Sequence, residues 1–138
     1  GKRGSLEGWA SGAGLPQLAR HLHPEVFAAL RNGQELSSRA AAGDADAIGV
    51  IGRSGDALGR ALALMIDLLA PERIILGSLA ARLGQRFTDP LQRAVEREAL
   101  ASSLARCRVV LGELGDRIGD VAAICVAMQL NRERTNAA

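Results

Sequence analysis

Tyrosine is absent from this 138-residue chain, and its only aromatics are Trp9, Phe27 and Phe87. A core must therefore be assembled from Leu, Ile, Val and Ala, which bury less area per residue than rings do. Cysteine is almost as scarce. Cys107 and Cys125 lie 18 positions apart in apolar stretches. That spacing excludes a disulfide framework and a cysteine zinc cluster, and both are expected as buried thiols in a reducing compartment. No apolar run reaches the ~18 residues that cross a bilayer, and no charged-then-apolar leader is visible. A cytoplasmic location without membrane contact is the expectation. Charge of one sign is also missing, because the formal net charge is +2 and arginines alternate with acids. With no basic stripe and no aromatic stacking set, nucleic-acid binding by this segment is not expected.

What is present is a globular balance: 48% apolar and 23% charged residues, enough for one domain. The opening GKRGSLEGWASG has no leading methionine and is punctuated by Gly1, Gly4, Gly8 and Gly12. It reads as the middle of a longer protein. LPQLARHLHPEVFAALRNG predicts one or two short helices, with Pro24 in a first turn and Asn32-Gly33 as a stop. Gly43-Asp44 marks a joint. From Ala45 to Leu69, apolar residues mostly recur at three, four or seven, the spacing of a helix stripe. Gly49, Gly52, Gly55 and Gly59 lie inside it, each costing ~1 kcal/mol against alanine. Either the helix breaks near Ser54-Gly55 or it packs closely on another backbone, and close packing is the preferred reading.

Ala70-Pro71 ends this helix. Ile74–Leu76 then reads as a buried parallel strand, with Gly77-Ser78 leading into a short helix at Leu79–Leu83. Thr88-Asp89-Pro90 predicts a helix start for Leu91–Leu100, and CRVVL a second buried strand. Val121–Leu130 is apolar almost all round and is expected as a buried helix, with residues 131–138 a frayed polar tail. Strands alternating with helices give an α/β class with an incomplete parallel sheet, because two strands are too few to stand alone. His21 and His23 form a His-x-His, but no cysteine or carboxylate cluster accompanies them, so a solvated helix end is preferred over a metal site. Asp44, Asp46 and Asp56 are expected as caps and turn residues, and none is assigned as a catalytic base. There is no GxxxxGK[ST] phosphate loop.

Four segments in this order resemble the C-terminal half of the ROK family of bacterial sugar kinases and sugar-responsive repressors. They are GKRGSLEGWASG, RAAAGDADA with LGRALALMIDLLAPERIILGSLA, and CRVVLGELGDRIGDVAAICVAM. The resemblance covers nearly the whole chain and implies the C-terminal lobe of an actin-like ATPase fold of hexokinase type. Residues 1–138 would be one partial domain, with residues 1–16 forming the sugar-site and zinc-motif loop. The family motif at the opening reads CGxxGCxE. Ser5 stands where its last zinc-binding cysteine is expected, which argues against a structural zinc.

The resemblance makes Glu7 a sugar-binding carboxylate, since an ionised carboxylate accepts from two hydroxyls at once. The alternative is an exposed glutamate favoured by a helix start. It also places Gly77 and Ser78 against ATP, because a missing Cβ lets a nucleotide approach the main chain. The alternative there is a plain strand-to-helix turn with Ser78 as N-cap. ATP with magnesium is the implied cofactor, and a sugar, a missing N-terminal lobe and a second copy are the implied partners. The family's phosphate loop and catalytic aspartate belong to that N-terminal half, so no catalytic residue is assigned here. The expected function is a share in ATP-dependent phosphorylation of glucose or a related hexose, inactive alone. The sensor half of a ROK repressor, or a degenerate remnant, is the alternative.

Overall fold

A computed structural model describes residues 4–136. The helices are α1 (Leu6–Ala10), α2 (Gly14–Leu22), α3 (Gly33–Ala41), α4 (Ala45–Leu69), α5 (Ser78–Leu83), α6 (Gln85–Glu98), α7 (Ala101–Leu104) and α8 (Ile118–Asn136). Two strands, β1 (Arg73–Leu76) and β2 (Arg108–Leu111), pair in parallel with Arg73 opposite Arg108 and Leu76 opposite Leu111. The expected helix-rich α/β layer with few strands is what forms.

The long helix α4 organises the rest. Asp44 caps it by accepting hydrogen bonds from the Asp46 and Ala47 amides at 3.0 and 3.1 Å. Arg39 holds the same carboxylate at 2.6 Å, and Gly43 makes the turn before it at φ +90°. The helix then runs unbroken for 25 residues. It stays whole because its inner glycines receive another helix. A Cβ on Gly55 would collide with the Phe87 carbonyl of α6, and one on Gly59 with the Leu91 carbonyl and, at 2.7 Å, the Ala94 methyl. Close packing is thus the reason for Gly55 and Gly59. Gly49 faces open space, and a Cβ on Gly52 would make only ordinary contact with Pro90 at 3.7 Å. Ala70 ends the helix in the left-handed region at φ 45°, just before Pro71.

Val50, Ile51, Leu62 and Ile66 of α4 pack with Phe87, Leu91 and Val95 of α6 in one core that reaches Leu15, Phe27 and Leu36. Full burial of such side chains stabilises by about 1.5–3 kcal/mol each. Ser54 is the buried polar residue among them. Its hydroxyl donates to the Trp9 carbonyl at 2.6 Å, which ties α1 to α4. Asp67 of α4 accepts the Leu100 amide at 3.0 Å and so fixes the entry to α7.

Several expectations are corrected. Asn32 starts a helix instead of stopping one, because its side chain accepts the Glu35 amide at 2.9 Å as the α3 cap. The Pro24 segment forms turns, not a helical first turn. Helix α6 begins at Gln85 and carries Pro90 inside it, started by the Gly84 carbonyl, which accepts from Phe87 and Thr88 at 3.0 Å. Asp56 is neither a cap nor a turn residue. It sits mid-helix and accepts from Arg60 at 2.8 Å and from Arg97 of α6 at 3.1 Å.

The largest departure is at the C-terminal end. Ile124, Val126 and Met128 of α8 are exposed, and Cys125 with them, whereas Cys107 is buried. The stretch is apolar all round, as the sequence indicates, but no described element covers it. Residues 131–136 continue the same helix. The strands are only partly covered too: Leu76 is buried, while Ile75 and Leu111 are exposed. Among the described residues no helix is long and apolar enough to cross a membrane.

Candidate functional site

Ser5 caps α1 by accepting the Gly8 amide at 3.3 Å, so its hydroxyl does helix-cap work where the family motif has a zinc ligand. Among the described residues no group of three His, Cys, Asp or Glu could hold a metal. At the motif position Ser5 offers a hydroxyl, a poorer zinc ligand than a thiolate. Of the two histidines, His21 is exposed. His23 packs edge-on against Phe27 at 5.9 Å and lies 3.6 Å from Asp46.

Glu7 lies in the first turn of α1, exposed. Its main-chain carbonyl accepts the Ser11 amide at 3.1 Å, while its carboxylate engages no partner among the described residues. The main chain around it is held from behind. A Cβ on Gly14 would strike the Glu7 carbonyl and come within 2.6 Å of the Gly8 carbonyl, so α1 and α2 touch through their backbones. The carboxylate is thus presented from a braced turn and remains available to outside donors.

Gly77 and Ser78 lie where β1 passes into α5. Gly77, not Ser78, is the cap residue, and no side chain caps this helix. Ser78 is its first residue, and its hydroxyl accepts from Arg82 at 3.4 Å. The space in front of Gly77 is open, since a Cβ there would meet nothing within 4 Å. Beside this turn is a hollow of about 400 Å³, lined by Gly12, Gly33, Gln34, Ser37, Leu79, Arg82 and Leu83. Gly12 and Gly33 oppose each other closely, with a Cβ on Gly33 falling 3.0 Å from the Gly12 carbonyl.

Neither Glu7, Gly77 nor Ser78 lines this hollow, although chain neighbours of each region do. Gly12 follows α1, which carries Glu7, and Leu79 follows Ser78. The structure shows no direct contact between Glu7 and the Gly77-Ser78 turn. Gln34, Ser37 and Arg82 were not singled out by sequence reasoning. Nothing local marks them, because they meet only when α3 folds back beside α5. The lining offers amide, hydroxyl and guanidinium donors beside an open main chain, which suits the sugar or phosphate portion of a nucleotide. No carboxylate lines it, so this wall offers no magnesium ligand among the described residues.

This helix-rich fold with its two-stranded parallel sheet is that of a lobe of the actin-like ATPase class, as its likeness to solved sugar-kinase structures shows. The chain belongs to the ROK family, whose model matches residues 1–129. It is 30% identical to the glucokinase of Halalkalibacterium halodurans, over 86% of this chain and 39% of that protein. It superposes on a ROK family glucokinase from Streptomyces griseus, solved with glucose and AMPPNP, at a TM-score of 0.74. That match has 26% identity and covers 94% of this chain and 46% of the other. A putative sugar kinase from Cytophaga hutchinsonii aligns at a TM-score of 0.71 and 20% identity, covering 90% of this chain and 44% of that one. A ROK family transcriptional regulator, homologous to the MLC protein of E. coli, aligns at 0.66 and 23%, covering 80% and 30%. The chain thus spans less than half the length of each of these relatives.

Proposed function

We propose that this chain is the C-terminal lobe of a ROK hexose kinase that transfers the γ-phosphoryl group of ATP to glucose or a related sugar. The observation that carries this reading is the exposed Glu7 carboxylate, which has no partner among the described residues and sits on a turn braced by Gly14. Glu7 accepts hydrogen bonds from sugar hydroxyls and fixes the ring. Gly77, Ser78 and the hollow form one wall of the ATP site, with Arg82 positioned to face a phosphate. ATP with its magnesium supplies the phosphoryl group and neutralises its charge. The base that deprotonates the attacking hydroxyl comes from the other lobe, so residues 1–138 alone do not turn over. Pairing of two copies through this lobe and a cytoplasmic location belong to the same reading.

Calorimetric titration of the full chain with glucose tests it. Charge-assisted hydrogen bonds contribute about 1.5–3 kcal/mol each. Glu7→Gln, which weakens two of them, is expected to reduce glucose affinity roughly 100-fold. Unchanged affinity in that variant refutes the assignment. A second reading is supported by the regulator-like neighbour: a sugar-sensing lobe that binds glucose without using ATP. A non-hydrolysable ATP analogue separates the two, since the kinase reading requires it to bind.

A further inference from the structure

On the side of α4 that carries Gly49 and Gly52 is a second, larger hollow of about 850 Å³. Neither Glu7, Gly77 nor Ser78 lines it. Three helices build it. Gly49, Gly52, Arg53, Asp56 and Arg60 recur at three, four and seven along one face of α4. Leu6 and Trp9 face it from α1, and Pro90 and Arg93 from α6. The glycines make the depression, because a side chain at Gly49 would project into open space.

The chemistry of the lining is lopsided. Arg53, Arg60 and Arg93 oppose a single acid, Asp56. That acid is already occupied, accepting from Arg60 and from Arg97. Arg97 has its pKa raised by the Asp56 and Glu98 hydrogen bonds, as expected of a satisfied ion pair. Arg53 and Arg93 have no hydrogen-bond or ion-pair partner among the described residues. Both are exposed and line the same hollow, so an anion seated there can accept from either guanidinium. The remaining lining is apolar: Leu6, the half-buried Trp9, Ala57 and Pro90. A bare ion would leave that surface unused. The volume falls in the range of small-molecule sites.

We propose that this hollow binds a phosphate-bearing small molecule, with the phosphate on Arg53 and Arg93 and the organic body against Trp9 and Leu6. The site is separate from the proposed sugar and nucleotide positions and does not depend on them.

The test titrates the full chain with phenyl phosphate, ribose 5-phosphate and inorganic phosphate by calorimetry. The expected result is binding of the organic phosphomonoesters at least tenfold tighter than inorganic phosphate. Arg53→Gln with Arg93→Gln is expected to weaken that binding tenfold or more. Gly49→Leu is expected to do the same by filling the hollow, while retaining the thermal transition, since its side chain enters open space. Glu7→Gln should leave it unchanged. The proposal is overturned by no binding at millimolar ligand, by binding that survives both hollow variants, or by binding that follows Glu7. A change of sedimentation in Gly49→Leu without loss of ligand also overturns it, and would make the hollow an interface between copies.

Discussion

Replacing one glycine of α4 at a time separates close helix packing from mere tolerance of glycine. At Gly49 a methyl group meets nothing, so Gly49→Ala keeps only the helix-propensity gain and stabilises by about 1 kcal/mol. At Gly55 the same methyl collides with the Phe87 carbonyl and lies 3.1 Å from its carbon. At Gly59 it meets the Leu91 carbonyl and the Ala94 methyl together. Those carbonyls belong to the body of α6 and cannot rotate away as a flexible side chain would. The two helices must separate, which loosens Phe87 and Leu91 in the core. Overpacking of this kind costs about 1–3 kcal/mol. The rigid neighbour favours the upper end, so after the propensity gain the net loss is about 2 kcal/mol at each site. Urea denaturation of the full chain, read by circular dichroism, measures all three variants against the parent. The predicted signs are opposite: a higher midpoint for Gly49→Ala and lower ones for Gly55→Ala and Gly59→Ala. Stabilisation by Gly55→Ala would refute the close approach of α4 and α6.

Ser54→Ala removes the hydroxyl that donates to the Trp9 carbonyl inside the core. It should cost about 1–2 kcal/mol and shift the Trp9 emission, measurable in the same denaturation series. Asp44 is held below its usual carboxylate value of 3.8, first by the Ala47 amide and then by Arg39. Because the folded value is the lower one, its contribution is complete above the unfolded value and is lost as pH falls through the folded one. Asp44→Ala should therefore lower the urea midpoint at pH 6, and the gap to the parent should narrow towards pH 3. A gap independent of pH would show that the carboxylate charge plays no part in the α4 cap.

Much of the fold was legible because its signals are local. The apolar stripe of α4, its end at Ala70-Pro71, the capping Asp44 and the two short strands follow from spacing and turn chemistry. The α6 start was misplaced because the signal used, Thr88-Asp89-Pro90, lies within the helix, while the turn that begins it depends on Gly84 at φ +61°. Asn32-Gly33 misled for a related reason: asparagine before glycine serves a stop and a start equally, and only the Glu35 amide decides. The exposure of α8 was not readable, because an all-round apolar helix signals a need for cover without saying which chain provides it. Of the proposed site, Glu7 and Gly77-Ser78 were named from motif resemblance. The donors of the small hollow and the arginines of the large one could not be, because each set comes from helices far apart in sequence.

The central claim, that Glu7 belongs to the sugar site of a phosphotransferase, is tested most directly by turnover. Residues 1–138 joined to the N-terminal lobe that supplies the base should be assayed for ATP-dependent phosphorylation of glucose in a coupled reaction, alongside Glu7→Gln in the same two-lobe protein. The account predicts turnover by the parent and a loss of about 100-fold in kcat/KM in the variant. Equal turnover in the two proteins would contradict the role of Glu7. Glucose binding without turnover by the parent would contradict the kinase and leave the sugar-sensing lobe.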